Sequence, residues 1–281
     1  MAEVTQLIHK YLRHDKKFPH VWCPGCGIGI MLGALIRAID ARGFSKDEIV
    51  LVSGIGCTGR LPVYIDFNTL HTTHGRAMTF ATGVKLAKPD LKVIVVMGDG
   101  DAVAIGGNHF IHAARRNIDI SAVILNNSVY GMTGGQYSPT TPYGSRTTTS
   151  PYTQVEQAFN IAELAVCAGA PFVARGTVYH ARQLDRLMER AFQKKGFSVV
   201  EVISHCHTQF GKLNRMGSAV EMMTWQRDHA VTMEKAAGMT GEELKDKFTI
   251  GLLVDKELPV YNEEYEKVRQ RAKEAGEKQG F

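Results

Sequence analysis

Short unbroken runs of aliphatic and β-branched residues recur along the middle of this chain, each followed by a helix-like segment. That alternation constrains the fold more than any other feature. Residues 49–53, 92–97, 121–125 and 197–203 each read as a strand apolar on both faces. Helices are expected over residues 27–41, 76–87, 107–116, 154–168 and 182–194. The last of these repeats Leu184, Leu187, Met188 and Ala191 at helical spacing. Strand–helix–strand alternation builds βαβ units, so the expected architecture is α/β, a parallel sheet with helices on both faces. Such sheets bind ligands beyond the carboxyl ends of their strands. The chemically informative residues should therefore follow strands directly.

Composition sets the outer bounds. With 281 residues, 44% hydrophobic and 22% charged, the chain can bury a core without disulfides and is neither disordered nor fibrous. Its net charge of +5 is spread without a basic block, which suits an anionic ligand and argues against nucleic acid. No apolar run approaches the roughly 20 residues of a membrane span. Residues 1–17 are polar and lack the apolar core of a secretory signal, so a cytoplasmic location is expected. Residues 1–209 are expected to form the ligand-binding domain. Residues 210–281 read as a C-terminal arm ending in a charged helix over 263–278. The polar, Pro/Gly-punctuated stretch 138–151 reads as a functional or mobile loop.

Two motifs follow strands as the topology requires. Gly98-Asp99-Gly100-Asp101 leaves the second apolar run, and Asn126-Asn127 leaves the third, with Asp99 and Asn127 separated by 28 positions. Neighbouring parallel strands joined by one crossover would bring both to one sheet edge. The glycines let backbone approach a phosphate. A carboxylate and an amide oxygen are hard ligands; with a backbone carbonyl and diphosphate oxygens they make an octahedral Mg²⁺ site. Each motif alone is also an ordinary strand-ending turn.

Cysteines supply the second signal. Cys23 and Cys26 form a CxxC before a helix, Cys57 lies in the loop leaving the first strand, and Cys206 follows the last strand. Alone, the CxxC is equally compatible with a redox dithiol or a zinc half-site. Cys167, amid Ala and Gly, reads as a buried core thiol.

The combination resembles the β subunit of 2-oxoacid:ferredoxin oxidoreductases over nearly the whole length. The resemblance is carried by CPGCG (23–27), SGIGCTGR (53–60), HTTHGRA (71–77), GDGD (98–101) and NNSVYGMTGGQ (126–136). It implies a thiamine diphosphate-binding fold in which Asp99, Asn127 and the Val129 carbonyl bind Mg²⁺. It implies diphosphate contacts from Gly100, Asp101, Gly131 and Met132, and a cofactor site that also includes Ile55, Gly56, Cys57, Thr58, His74 and Gly98. His74 and Thr58 become the catalytic candidates. Cys23, Cys26, Cys57 and Cys206 are implied ligands of one [4Fe–4S] cluster. The implied activity is reversible, coenzyme A-dependent oxidative decarboxylation of a 2-oxoacid, with electrons leaving through the cluster to ferredoxin. The pyrimidine-binding domain and the activating Glu are implied to sit in a separate α subunit. The assembly would be αβ or (αβ)₂, inactive as a lone chain, with the C-terminal arm packing on that partner. Met132, where pyruvate-type members tend to carry Asn, makes 2-oxoglutarate the expected substrate.

Other residues and readings stay open beside these. His71 reads as a hydrogen-bonding group. His205 and His207 either tune the cluster or are simply exposed. Arg146 either meets a distal carboxylate or is solvated. Three alternatives compete with the main reading: a pyruvate or broad-specificity enzyme of the same family, a non-catalytic Fe–S electron-transfer subunit, and a cluster-free carboligase.

Overall fold

The computed structural model describes residues 2–279. Its strands are β1 (Ile49–Ser53), β2 (Asn68–His71), β3 (Lys92–Gly98), β4 (Ser121–Asn126), β5 (Val129–Tyr130), β6 (Gln136–Tyr137), β7 (Phe172–Thr177), β8 (Ser198–Ile203), β9 (Ala230–Thr232) and β10 (Phe248–Asp255). Its helices are α1 (Ala2–Tyr11), α2 (His14–Lys17), α3 (Ile28–Ala41), α4 (Ala77–Ala87), α5 (Gly107–Arg116), α6 (Ile161–Cys167), α7 (Ala181–Gln193), α8 (Ala219–His229), α9 (Met233–Ala236) and α10 (Tyr261–Gln279). Among the described residues, no helix is long and apolar enough to cross a membrane.

Eight strands form one sheet in the order β2-β1-β3-β4-β8-β7-β10-β9; β5 and β6 form a small separate hairpin. The unbroken apolar runs are explained by burial on both sides. On β3, Ile94 and Val96 enter one core while Val93, Val95 and Met97 enter the other; β1 and β4 alternate likewise. Helices α3 and α7 close the first face, and α4, α5 and α6 the second. Each fully buried Val, Ile or Leu contributes about 1.5–3 kcal/mol.

Several elements differ from the expectation. The helix expected over 154–168 begins only at Ile161, because Asn160 caps it, its side chain accepting from the Glu163 amide. Strand β7 was hidden by Arg175 and Gly176, which interrupt its apolar run, yet all six of its residues are buried. The sheet is not wholly parallel: β10 runs antiparallel to β7, with an irregularity between Leu252 and Val254. Residues beyond 210 thus contribute β9 and β10 to the same sheet as the preceding strands.

The order of strands decides where the site lies. β1, β3, β4 and β8 are parallel neighbours whose carboxyl ends coincide, with Ser53 beside Val96, Gly98 beside Leu125 and Asn126 beside Ile203.

Candidate cofactor and metal site

Asp99 leaves β3 and Asn127 leaves β4, and these strands are hydrogen-bonded neighbours. The Ser128 amide, one residue past Asn127, bonds the Asp99 carboxyl, as does the Gly100 amide. Ser138 Oγ and Thr140 Oγ1 donate to its Oδ2 over 2.9 and 2.5 Å. The polar loop 138–151 therefore folds over the strand ends, and Thr141 Oγ1 ties it to the Ser128 carbonyl at 2.7 Å. Asp99 is only 3% exposed, and these donors are all neutral. Burial accordingly raises its carboxyl above the ordinary carboxylate range. A buried carboxylate with neutral donors lacks a countercharge, which is what a divalent cation supplies.

Asp101 has a different task. Its Oδ1 accepts from His74 Nδ1 and from the Gly75 amide, both at 2.6 Å. Gly54 has no room for a side chain, since a Cβ there would stand 1.9 Å from Asp101 Oδ2. The Asp101 carboxyl is thus committed to the loops leaving β1 and β2. It fixes the His74 ring from behind; a diphosphate contact from this residue would have to use its main chain. Thr58 is buried beside Gly98, where a Cβ would lie 3.8 Å from Thr58 Oγ1. Ile55 and Met132 are exposed at the rim, and Gly56 has a positive φ of 106°.

Tyr130 was not anticipated from sequence. Its hydroxyl donates to the Gly100 carbonyl at 3.2 Å, and a Cβ on Gly100 would collide with its ring at 2.3 Å. Its ring meets His74 edge-on at 6.0 Å. Burial, with Asp99 and Asp101 nearby, pushes its phenol up to about 12. The sole aromatic residue between Asn126 and Gly135 was the available signal.

The four cysteines named from sequence gather at the same edge. A Cβ on Gly131, directly after Tyr130, would lie 3.4 Å from Cys206 Sγ and 3.6 Å from Cys57 Sγ. Cys23 Sγ and Cys206 Sγ both contact Thr208 Oγ1, at 3.8 and 3.7 Å. Trp22 Nε1 donates to the Cys57 carbonyl at 2.8 Å, tying the CxxC segment to the loop after β1. Cys26 and Cys57 are pushed up to about 11, chiefly by burial and then by the neighbouring thiols. Among the described residues, no three His, Cys, Asp or Glu side chains close on a single metal ion. The thiols are free and mutually close without being drawn to single-ion distances.

The remaining expectations sort cleanly. His71 is a hydrogen-bonding group, its Nδ1 2.9 Å from Ser53 Oγ. His205 is not simply exposed: at 3% exposure its Nε2 meets the Gly25 carbonyl at 2.8 Å and its Nδ1 meets Gln226. Burial lowers its pKa. The expectation of a buried Cys167 is wrong; the thiol is exposed. The buried stripe of α6 is Ile161, Ala162 and Ala165, which leaves position 167 facing solvent. Arg146 is exposed, and its backbone is held by Asn214.

Comparison with known proteins bears on this geometry. Residues 54–202 match the family described as thiamine pyrophosphate enzyme, C-terminal TPP binding domain. The chain is 45% identical over 264 residues to the 2-oxoglutarate synthase subunit KorB of Methanocaldococcus jannaschii, covering 94% of this chain and 97% of that protein. It is 61% identical over 198 residues to the protein of the same name from Archaeoglobus fulgidus, covering 70% and 73%. A solved 2-oxoglutarate:ferredoxin oxidoreductase from Magnetococcus marinus, with 2-oxoglutarate, coenzyme A and succinyl-CoA bound, superposes with a TM-score of 0.84. It is 31% identical, over 94% of this chain and 90% of that one.

Proposed function

The chain belongs to the family of 2-oxoacid:ferredoxin oxidoreductase β subunits, and on that premise we propose that it is the thiamine diphosphate-binding half of a 2-oxoglutarate:ferredoxin oxidoreductase. With an α subunit it converts 2-oxoglutarate and coenzyme A to succinyl-CoA and CO₂, reversibly, and passes electrons to ferredoxin in the cytoplasm. The assembly is αβ or (αβ)₂, with residues 210–281 against the partner. One observation carries the reading: Gly131 joins the turn that follows Asn127 to the thiols of Cys57 and Cys206, so the two candidate centres share one sheet edge.

The residues fit the implied groups. Asp99 supplies the buried carboxylate that a cation would keep ionised; Asn127 and the Val129 carbonyl follow the adjacent strand as further hard oxygens. Cys23, Cys26, Cys57 and Cys206 would hold one [4Fe–4S] cluster. When bound, thiamine diphosphate supplies carbanion chemistry at the keto carbon and the cluster supplies single-electron transfer. The protein's own work is positional. The glycines of GDG leave room for phosphate oxygens. Asp101 holds His74 by Nδ1, which leaves Nε2 as the ring nitrogen free for the cofactor, an acceptor in the neutral ring and a donor only in the imidazolium. Ser138 and Thr140 hold Asp99 in place. Met132 and Ile55 wall the mouth of the site and exclude water.

The test is turnover of the co-expressed αβ complex, purified anaerobically. The expected result is coenzyme A-dependent ferredoxin reduction faster with 2-oxoglutarate than with pyruvate, with iron and sulfide near four each per αβ unit. Preference for pyruvate would move the chain to another member of the family. Retained iron without thiamine diphosphate binding would make it an electron-transfer subunit. Turnover without iron would make it a cluster-free carboligase.

A further inference from the structure

Behind the Asn126-Asn127 turn lies a buried ion pair that nothing above employs. Glu201 on β8 and Arg175 on β7 are 1% and 5% exposed, with Arg175 Nε donating to Glu201 Oε2 at 2.7 Å. The other carboxylate oxygen, Oε1, accepts from Asn126 Nδ2 at 2.9 Å. The Ala162 amide donates to Oε2 at 3.2 Å. Arg175 also donates to Asn160 Oδ1 and to the Thr249 carbonyl. Asn126 is the last residue of β4, and its Oδ1 accepts from the Ser128 amide at 3.2 Å. Ser128 sits at a positive φ of 61°, a conformation uncommon for a non-glycine residue.

Packing alone does not explain how that turn keeps its shape. A cavity of about 500 Å³ adjoins Asn126, Asn127 and Ser128, and Arg175 and Glu201 line it too. On the side of that cavity the turn is held by polar ties, while Val129 beyond it packs against Phe210 and Met222. Nor does stability explain the pair. Desolvating two charges typically offsets their attraction, and apolar replacements of similar size are often neutral or stabilising. A pair placed here is better understood by what it orients.

We propose that Glu201, locked by Arg175, is a positioning residue for the cation site: it grips Asn126 and thereby sets the Asn127 and Val129 oxygens at cation-binding positions. The inference rests on the functional reading above. It concerns residues that would touch neither cation nor cofactor, in the way that outer partners orient metal ligands elsewhere.

The test uses the αβ complex with thiamine diphosphate, and Mn²⁺ as a paramagnetic probe titrated by the EPR signal of the free ion. Glu201→Gln removes the charge, keeps one acceptor oxygen for Arg175 and the Ala162 amide, and turns a donor toward Asn126 Nδ2. Glu201→Asp keeps the charge beside Arg175 and withdraws the carboxylate by one methylene. Asn126→Ala cuts the tie from the other end. Both Glu201 variants are expected to weaken Mn²⁺ binding by roughly 10–100-fold, the usual cost of losing an outer partner. Because Glu201 acts through Asn126, the Asn126→Ala/Glu201→Gln double variant should bind Mn²⁺ as Asn126→Ala alone does. A merely structural pair would instead lower the thermal midpoint and leave Mn²⁺ affinity within about threefold of wild type. That result, or additive losses in the double variant, overturns the proposal. So does failure of both Glu201 variants to assemble while Asn126→Ala assembles. Failure of the wild-type complex to bind Mn²⁺ with thiamine diphosphate overturns the functional reading itself.

Discussion

The two candidate centres share a sheet edge but are built differently. The Asp99 cradle is drawn from neighbouring strand ends and the loop over them: hydroxyls and amides already hold its carboxyl. The cysteine rim is drawn from three separate parts of the chain, and Cys23 and Cys206 meet at the Thr208 hydroxyl. One candidate centre holds a single buried carboxylate among neutral donors. The other gathers thiols that discourage one another's ionisation, a penalty that a metal core would relieve. Loss of a ligand should therefore abolish the rim, while the cradle should weaken by degrees.

Cys206→Ser tests that contrast most severely. Iron and sulfide are expected to fall to background and ferredoxin reduction to be lost, while thiamine diphosphate still binds with Mg²⁺. Elemental analysis beside a cofactor-binding titration checks both halves. Joint loss of both cofactors would mean that the centres are one cooperative unit.

Asp99→Asn comes next. Cation-dependent retention of thiamine diphosphate should weaken by at least about 100-fold, beyond the usual cost of an indirect partner. The cation-free chain should gain stability, because burial makes this carboxylate unfavourable when ionised. Calorimetry of the apo and loaded forms reads both signs. A destabilised apo chain would show that the hydroxyl cage, rather than the cation, satisfies Asp99.

The contrast also explains what could be read from sequence. GDG and NN were legible because each directly follows a strand whose unbroken apolar run announces it, and strand pairing does the rest. The meeting of the cysteines depended on the family resemblance, since no local spacing links position 57 to position 206. Ser138 and Thr140 were hidden in a loop whose path is set by tertiary hydrogen bonds. Glu201 looked like one polar interruption of a strand, and Arg175 concealed β7 altogether; each makes sense only opposite the other. Strand β10 was obscured by Gly251, whose positive φ of 115° falls beside the irregular pairing with β7. The error at Cys167 arose from neighbour composition outweighing helical phase.

A smaller effect separates the centres by pH. In the metal-free chain Cys26 and Cys57 are raised from 9.0 to about 11. An unfolded chain therefore releases these protons at lower pH than the folded one. The stabilising contribution is full below pH 9.0 and is lost as pH rises to about 11. Denaturation midpoints of the apo chain should fall across that window, and Cys26→Ser/Cys57→Ser should flatten the decline. Loaded protein, its thiolates held by iron, should lack it. An unchanged profile in the double variant would assign the decline to other groups, with Tyr130 the first to examine.

The smallest effect is expected at Cys167, and it marks the boundary of the rim. Its thiol is exposed at the end of α6, away from the buried stripe of that helix. Cys167→Ser should change stability by less than about 0.5 kcal/mol, as for a surface substitution that breaks no packing. Iron content and turnover should be unaffected. Under native alkylation of the loaded complex, Cys167 should react while Cys23, exposed in the free chain, is protected by the metal it holds. Protection of Cys167 as well would place the α subunit over the end of α6. Equal labelling of Cys23 and Cys167 would instead leave the rim without its metal and reduce the comparison to one real centre.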